Sequence, residues 1–321
     1  TLGSSLADEN YLIQVHKAGA PPSADNSEDA GATPTAGSVK IDGANLGSAL
    51  AGSIKATRLS SNTTSGFSII LMTGTGSNGT VAHGLSSSPE LVVHKERDPG
   101  GNNWAVWHKS IANTTFLALD TAAGTATEAT KWNSTSPAPT VYSLGTDTGN
   151  NASGSTYVTY CWHGVAGYSA FGTYTGNAAA DGPMVNIGAY PRSVLLKDLS
   201  GDGFDWWEVN GALQDFNDGV APRIDWNNAA ALTESADIMD RLSNGFKIRS
   251  NTTAWNKAQA VIYMAWGGTP IQGDGGINQG RAGAVRPYGQ AYGGTITQVG
   301  GFHIHVFTSS GTFTPVVAGN V

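Results

Sequence analysis

The chain has 321 residues and a formal net charge of −7; Gly, Ser, Thr and Asn fill 126 positions, and charged residues make up only 13 %. The 17 Lys and Arg never form a run, so the basic footprint that neutralises phosphates is missing and nucleic acid is not expected as a partner. No stretch approaches the ~20 apolar residues that cross a bilayer, so no membrane insertion is expected, while 40 % hydrophobic residues suffice for a buried core.

In chain order, residues 1–65 read as an extended N-terminal arm. Thr1 to Ala20 lack a basic-then-apolar export signal. Ser23 to Ala30 are small or polar with no periodic apolar face, and only Ile54, Ala56 and Arg58 alternate as the start of a strand.

Residues 66–166 form a first module. Short β-branched and aromatic runs at Phe67 to Met72, Leu91 to Glu96, Trp104 to His108, Val141 to Leu144 and Tyr157 to Trp162 are punctuated by Gly, Asn, Ser and Pro. Such spacing indicates antiparallel strands. Residues 167–270 repeat the layout. Gly66-Phe67-Ser68 matches Gly167-Tyr168-Ser169, Thr73-Gly74 matches Thr175-Gly176, and Pro89 to Lys95 matches Pro191 to Lys197. Trp104 matches Trp206, Tyr142 matches Phe246, and Trp162 matches Trp266. The expected fold is therefore all-β, with two tandem antiparallel β-sandwich modules. The exception is Leu232 to Leu242, where Ile238 and Leu242 lie four apart and Thr233 offers a cap, which predicts a helix. Residues 271–301, rich in Gly, Gln and Asn with Pro287, read as a linker or collar without strands, and 302–321 as a hairpin around Ser309-Ser310-Gly311.

Nine tryptophans constrain the interior, since each buries about 150–250 Å². The matched Trp104, Trp206, Trp162 and Trp266 are expected in the two cores. Trp107, Trp132, Trp207, Trp226 and Trp255 have no Trp counterpart and are candidates for an exposed platform that stacks on a glycan or docks a receptor.

Ten acidic residues between Asp198 and Asp240 face one basic residue, Arg223. Asp198, Asp202 and Asp205 share one Gly-rich turn and are candidate ligands for a hard cation, although their spacing is not that of a calcium loop. A pair of acids here would also be the minimum for glycosidic hydrolysis. His303 and His305 alternate onto one strand face, a candidate transition-metal site if several chains meet on an axis. His94 stands where the second module has Leu196 and is expected to be packed. Cys161 is the only cysteine, so no intrachain disulfide forms, and its strand predicts a buried inert thiol. No G-x-S-x-G, G-x-x-x-x-G-K or H-E-x-x-H pattern occurs, and neither an enzymatic activity nor a cofactor is expected.

Ala56 to Ile70, His83-Gly-Leu85, Ser88-Pro-Glu-Leu91, Asn103-Trp-Ala-Val-Trp-His108, Tyr168-Ser-Ala-Phe-Gly-Thr-Tyr-Thr-Gly176 and Leu242-Ser-Asn-Gly-Phe-Lys247 resemble a domain of unknown function that recurs in tailed-bacteriophage structural proteins. Ile304-His-Val-Phe-Thr-Ser-Ser-Gly-Thr-Phe-Thr-Pro315 is similar to a segment that introduces Gly-rich regions of phage tail fibres. The resemblance covers roughly residues 50–321 and carries no catalytic residues. It implies a virion protein, a tail fibre or appendage that attaches to a host-surface glycan or protein, contacts other virion proteins and assembles as a homotrimer. A capsid-decorating or baseplate protein and a glycan depolymerase are the alternative expectations.

Overall fold

The structure, a computed structural model, describes residues 16–98, 101–211, 220–228, 233–236, 238–251, 253–268, 291–292, 295–299, 302–306 and 314–315. The first half holds β1 (Val39–Ile41), β2 (Ala44–Asn45), β3 (Ala56–Asn62), β4 (Phe67–Thr73), β5 (Gly79–Ala82) and β6 (Leu91–Glu96). These are followed by β7 (Ala105–His108), β8 (Thr115–Ala118), β9 (Ala126–Thr127), β10 (Val141–Leu144), the one-turn helix α1 (Thr148–Asn151) and β11 (Thr156–Trp162). The second half holds β12 (Ser169–Thr175), β13 (Met184–Asn186), β14 (Tyr190–Asp198), β15 (Trp207–Asn210), β16 (Val220–Asp225) and β17 (Thr233–Ala236). After them come β18 (Met239–Leu242), β19 (Gly245–Ile248), the one-turn helix α2 (Thr253–Asn256) and β20 (Ala260–Gly268).

The described chain is all-β apart from those two turns of helix. A nine-stranded sheet runs β2-β1-β3-β4-β11-β6-β7-β8-β9, and a six-stranded sheet runs β12-β20-β14-β15-β16-β17. From β4 onward the first order and the whole of the second visit the chain in the same sequence. Each sheet also has a small partner: β10-β5 for the first and β13-β19-β18 for the second. Pairing fixes the correspondence. Trp162 lies opposite Phe67 and Leu91, and Trp266 lies opposite Ser169 and Ser193. Phe67 therefore corresponds to Ser169, and the sequence match of Gly66-Phe67-Ser68 to Gly167-Tyr168-Ser169 is one residue out of register.

Strand alternation sorts the side chains of each sheet onto two faces. On the first sheet Leu59, Ile70, Met72, Val92, Tyr157 and Cys161 are buried beneath β5 and β10, which contribute Val81, Tyr142 and Leu144. The opposite face presents Leu91, Val93, Val106 and Trp162 and packs against Leu195, Met264 and Trp266 of the second sheet within one continuous apolar cluster. The far face of the second sheet, with Val194, Leu196, Trp207, Val261 and Tyr263, is closed by Val185, Phe246 and Ile248. Four layers result, and each enclosed Leu, Ile or Val contributes about 1.5–3 kcal/mol.

Several expectations are corrected. Residues 39–62 are not an extended arm: β1, β2 and β3 belong to the first sheet, and Val39, Leu50, Ile54, Ala56 and Leu59 are core residues. The polar stretch before them is ordered by its side chains. Buried Asn26 accepts from the N–H groups of Glu28 (3.2 Å) and Thr35 (3.1 Å) and donates to the Ala56 carbonyl (3.2 Å). Within Leu232 to Leu242 the chain forms β17 and β18 rather than a helix. Met239 and Arg241 are buried while Asp240 and Leu242 are half-exposed, a period of two that the two-residue Ser243-Asn244 connection folds back onto β19. The collar is not strandless: β21 (Ala291–Tyr292) and β22 (Thr295–Val299) lie inside it. β22 pairs antiparallel with β23 (Phe302–Val306), Val299 lying opposite Phe302, and β24 (Thr314–Pro315) pairs with β21. The turn expected at Ser309-Ser310-Gly311 lies outside the described residues.

Candidate functional site

The face where the two sheets meet gathers the aromatic residues. On β11, Tyr160 and Trp162 point away from the small sheet, and Trp104 stacks on Tyr160 (6.3 Å, 19°) and Tyr160 on Trp162 (6.2 Å, 27°). Trp162 meets Trp266 edge-on at 6.2 Å, and His16 enters beside them with ring centroids 5.5 Å from Trp162 and 5.0 Å from Trp266. Burial lowers the pKa of that imidazole to about 4, so it packs as a neutral ring. Trp206, fully enclosed, donates its indole N–H to the Ala118 carbonyl across the seam (2.8 Å). Lys197, 1 % exposed, donates to the carbonyls of Ala122 (2.8 Å) and Phe204 and so ties the β8–β9 loop to the β14–β15 loop. Burial lowers its pKa to about 8. Between Trp162, Trp206, Trp226, Trp266, Leu91 and Met264 the seam leaves a void of about 20 Å³, lined by hydrophobic side chains. That is room for about one water-sized sphere, with no polar partner for a sugar hydroxyl.

At the edge of this seam lies Glu208, 2 % exposed. Trp206 and Glu208 alternate onto the seam side of the second sheet, so the carboxylate occupies the position that Val106 has on the first sheet. Three neutral donors hold it: the Ser193 hydroxyl (2.7 Å), the Asn210 amide (2.7 Å) and the Trp226 indole N–H (2.7 Å). A buried carboxylate is tolerable only when its lone pairs are filled in this way. The consequence falls on Trp226, which is 39 % exposed yet fixed in orientation by that bond and by its backbone N–H to the Trp206 carbonyl (2.9 Å).

The remaining platform candidates are corrected by burial. Trp107 (5 % exposed), Trp132 (2 %), Trp207 (7 %) and Trp255 (2 %) all lie in cores. Trp207 and Trp255 pack against each other beneath the Arg223 guanidinium. The matched tryptophans also differ from expectation: all four lie on the seam rather than inside separate modules, with Trp206 and Trp266 buried and Trp104 and Trp162 half-buried.

A family model matches residues 8–270 and is described as a domain of unknown function, DUF7483. The chain belongs to that family. Comparison with curated proteins and with solved structures found no match. The matched span takes in both large sheets and the seam, so this DUF7483 chain carries Trp226 and Glu208 within the family region.

In this DUF7483 chain the acidic turn does not gather into a cation site. Asp198 accepts from the Ser200 backbone N–H (2.6 Å), Asp202 pairs with Lys257, and Asp205 accepts from Asn227 (2.6 Å) and Asn228 (3.0 Å). Among the described residues no three His, Cys, Asp or Glu side chains form a metal-binding group. His303 and His305 are described only through their strand, opposite Gln298 and Ile296; their side chains, and with them the metal expectation, lie outside the described residues. Asp205 and Asp225 approach each other through the Asn228 amide, but the Asp225 side chain is 5 % exposed and ion-paired to Arg223 at 3.4 Å, which closes it to a polysaccharide. Burial, opposed by Arg223, raises its pKa. His94 is packed as expected: its ring bonds the Thr159 hydroxyl (2.8 Å) and the Asn150 carbonyl (2.9 Å), and burial lowers its pKa to about 4. Cys161 is fully buried, and burial pushes its thiol far above the usual range. Among the described residues no helix is long and apolar enough to cross a membrane.

Sequence reading missed Glu208 and Lys197 as elements of the seam. The available signal was alternation: Trp206-Trp207-Glu208-Val209 puts a carboxylate on the face of a tryptophan, where Trp104-Ala105-Val106 puts valine.

Proposed function

We propose that this chain is a structural protein of a tailed-phage virion, a tail fibre or related appendage that attaches to the host surface without catalysis of its own. The phage setting rests on the sequence resemblance. The structural role is supported by one observation: two sheets with the same chain order meet through the same aromatic face within one continuous apolar cluster, with no disulfide among the described residues. In this reading the body is a duplicated β-sandwich, and its loops and exposed indole are the contact surface. Trp226 is the platform for a host glycan or protein, because it is the described tryptophan that combines an exposed ring with a fixed orientation. Glu208, sealed from solvent and satisfied by neutral donors, acts by positioning that indole and not as an acid. Other virion proteins are its assembly partners.

The test is adsorption. Purified chain should compete with phage particles for host cells, and Trp226→Ala should lose that competition by tenfold or more in concentration, a cost of about 1.4 kcal/mol. Antibody labelling should place the chain on an external appendage of the particle. A chain missing from purified particles, or a Trp226→Ala variant that competes as well as the wild type, overturns the reading.

A further inference from the structure

The two large sheets differ at one edge. In the first, β4 is covered on its outer side by β3, with Asn62 opposite Phe67 and Ser60 opposite Ile69, and β1 follows β3. In the second, the corresponding strand β12 pairs only with β20 among the described residues, apart from a single bridge from Val165 to Ser169. The residues between β11 and β12 are too few to supply a further strand, so the segment that covers β4 has no counterpart here.

The bridge defines which groups are free. Ser169 donates its N–H to the Val165 carbonyl (2.8 Å) and accepts from the Val165 N–H (3.1 Å), so the backbone of Ser169 points outward. Alternation then turns the N–H and C=O of Phe171, Thr173 and Thr175 outward as well. Thr173 and Thr175 are exposed. Natural edges are protected by Lys, Pro, bulges or brevity. The seven residues Ser169-Ala-Phe-Gly-Thr-Tyr-Thr175 contain no charge and no proline, and they pair with β20 without a register shift. The other edges are protected: β2 and β9 are two residues long, and β17 carries Glu234 beside Pro222 of β16.

We propose that β12 is a self-association edge, and that two copies of this chain pair β12 to β12 antiparallel about a twofold axis through Thr173. Thr173 then faces Thr173 of the second copy and Phe171 faces Thr175, so that each outward N–H meets an outward C=O and no like charges oppose. One such edge per chain closes the assembly at two and prevents a fibre. This inference is independent of the attachment role, and it replaces the threefold assembly that the family resemblance implies.

The experiment uses the full chain. Sedimentation equilibrium should give a concentration-dependent mass approaching twice 33.0 kDa. Thr173→Lys sets two like charges directly opposite each other and should return the mass to the monomer, with an unchanged circular dichroism spectrum. Thr173→Cys should oxidise to a covalent dimer, because paired Cα atoms in such a register stand about 5.5 Å apart, within disulfide reach. Thr175→Cys, facing Phe171, should not, and the buried Cys161 offers no competing thiol. A monomer throughout the micromolar range overturns the proposal, whether the edge stays open or residues 1–15 cover it. So does a mass of three chains, a dimer unaffected by Thr173→Lys, or equal cross-linking at both cysteine positions.

Discussion

Replacing His94 by leucine, the residue that stands at the corresponding position 196, should remove a measurable share of the acid sensitivity of this fold. His83, His94 and His108 are each fully enclosed, and burial lowers their pKa values from 6.5 to about 4, 4 and 3. A folded pKa below the unfolded one means that the unfolded chain binds the extra proton as pH falls, so stability is intact above pH 6.5 and is lost toward the folded pKa. Between pH 8 and pH 5 each histidine accounts for about 2 kcal/mol, and the three together for about 6 kcal/mol, against a typical total of about 5–15 kcal/mol. Urea unfolding followed by tryptophan emission at the two pH values measures the loss. His94→Leu leaves the Asn150 carbonyl without its ring partner and costs about 1–3 kcal/mol at both pH values. The informative quantity is therefore the difference across pH, which should shrink by about 2 kcal/mol on substitution. Half-buried His16 and the oppositely acting Asp225 contribute equally to both proteins and cancel. An unchanged difference would refute the argument that His94 is held neutral by its surroundings.

Matched positions provide a second comparison. Trp206→Ala should cost about 3–5 kcal/mol, because a fully enclosed indole and its bond to Ala118 are lost, while Trp104→Ala, half-buried, should cost less than about half of that. Urea midpoints of the two variants decide it, and equal losses would contradict the unequal seam. Where the β8–β9 loop meets the β14–β15 loop, a Cβ on Gly124 would meet the Gly201 backbone nitrogen at 2.3 Å and its Cα at 2.6 Å. Gly124→Ala should therefore destabilise by about 1–3 kcal/mol in thermal unfolding, whereas Gly101→Ala, with nothing within 4 Å, should not.

Much of the strand pattern was legible because local alternation and burial agree. Tyr157 to Trp162 alternates buried and half-buried along its length, and the runs at Phe67, Leu91 and Val141 became β4, β6 and β10 with ends shifted by a residue or less. Legibility failed where order comes from non-local partners. Residues 39–62 look like an arm because their support is a sheet edge and the side chain of Asn26, neither of which has a periodic signature. Leu232 to Leu242 failed differently: Ile238 and Leu242 satisfy a helical spacing by accident, and the decisive feature is the return of the chain at Ser243-Asn244. Among the tryptophans, a match between the halves does not separate core from surface: Trp107, Trp132, Trp207 and Trp255 have no Trp counterpart and are buried all the same. Matching reports equivalence of position; whether a position faces a small partner sheet or a second large sheet depends on an assembly step that the local sequence does not encode.

That step also explains why the shared face is aromatic. Each large sheet has one side closed by its own two- or three-stranded partner, and the opposite side carries Trp104 with Trp162, or Trp206 with Trp266. Left alone, either side would expose a contiguous apolar patch of a size that soluble monomers rarely tolerate. Packing the two against each other removes both patches at once, and where the first sheet has Val106 the second has Glu208, at the rim where Trp226 can reach it. The same logic accounts for its surroundings: a carboxylate at that position is tolerable only with Ser193, Asn210 and Trp226 around it. Glu208→Leu should therefore release Trp226 from its fixed orientation while leaving the seam packed, which links the buried carboxylate at the rim to the exposed indole of the described surface.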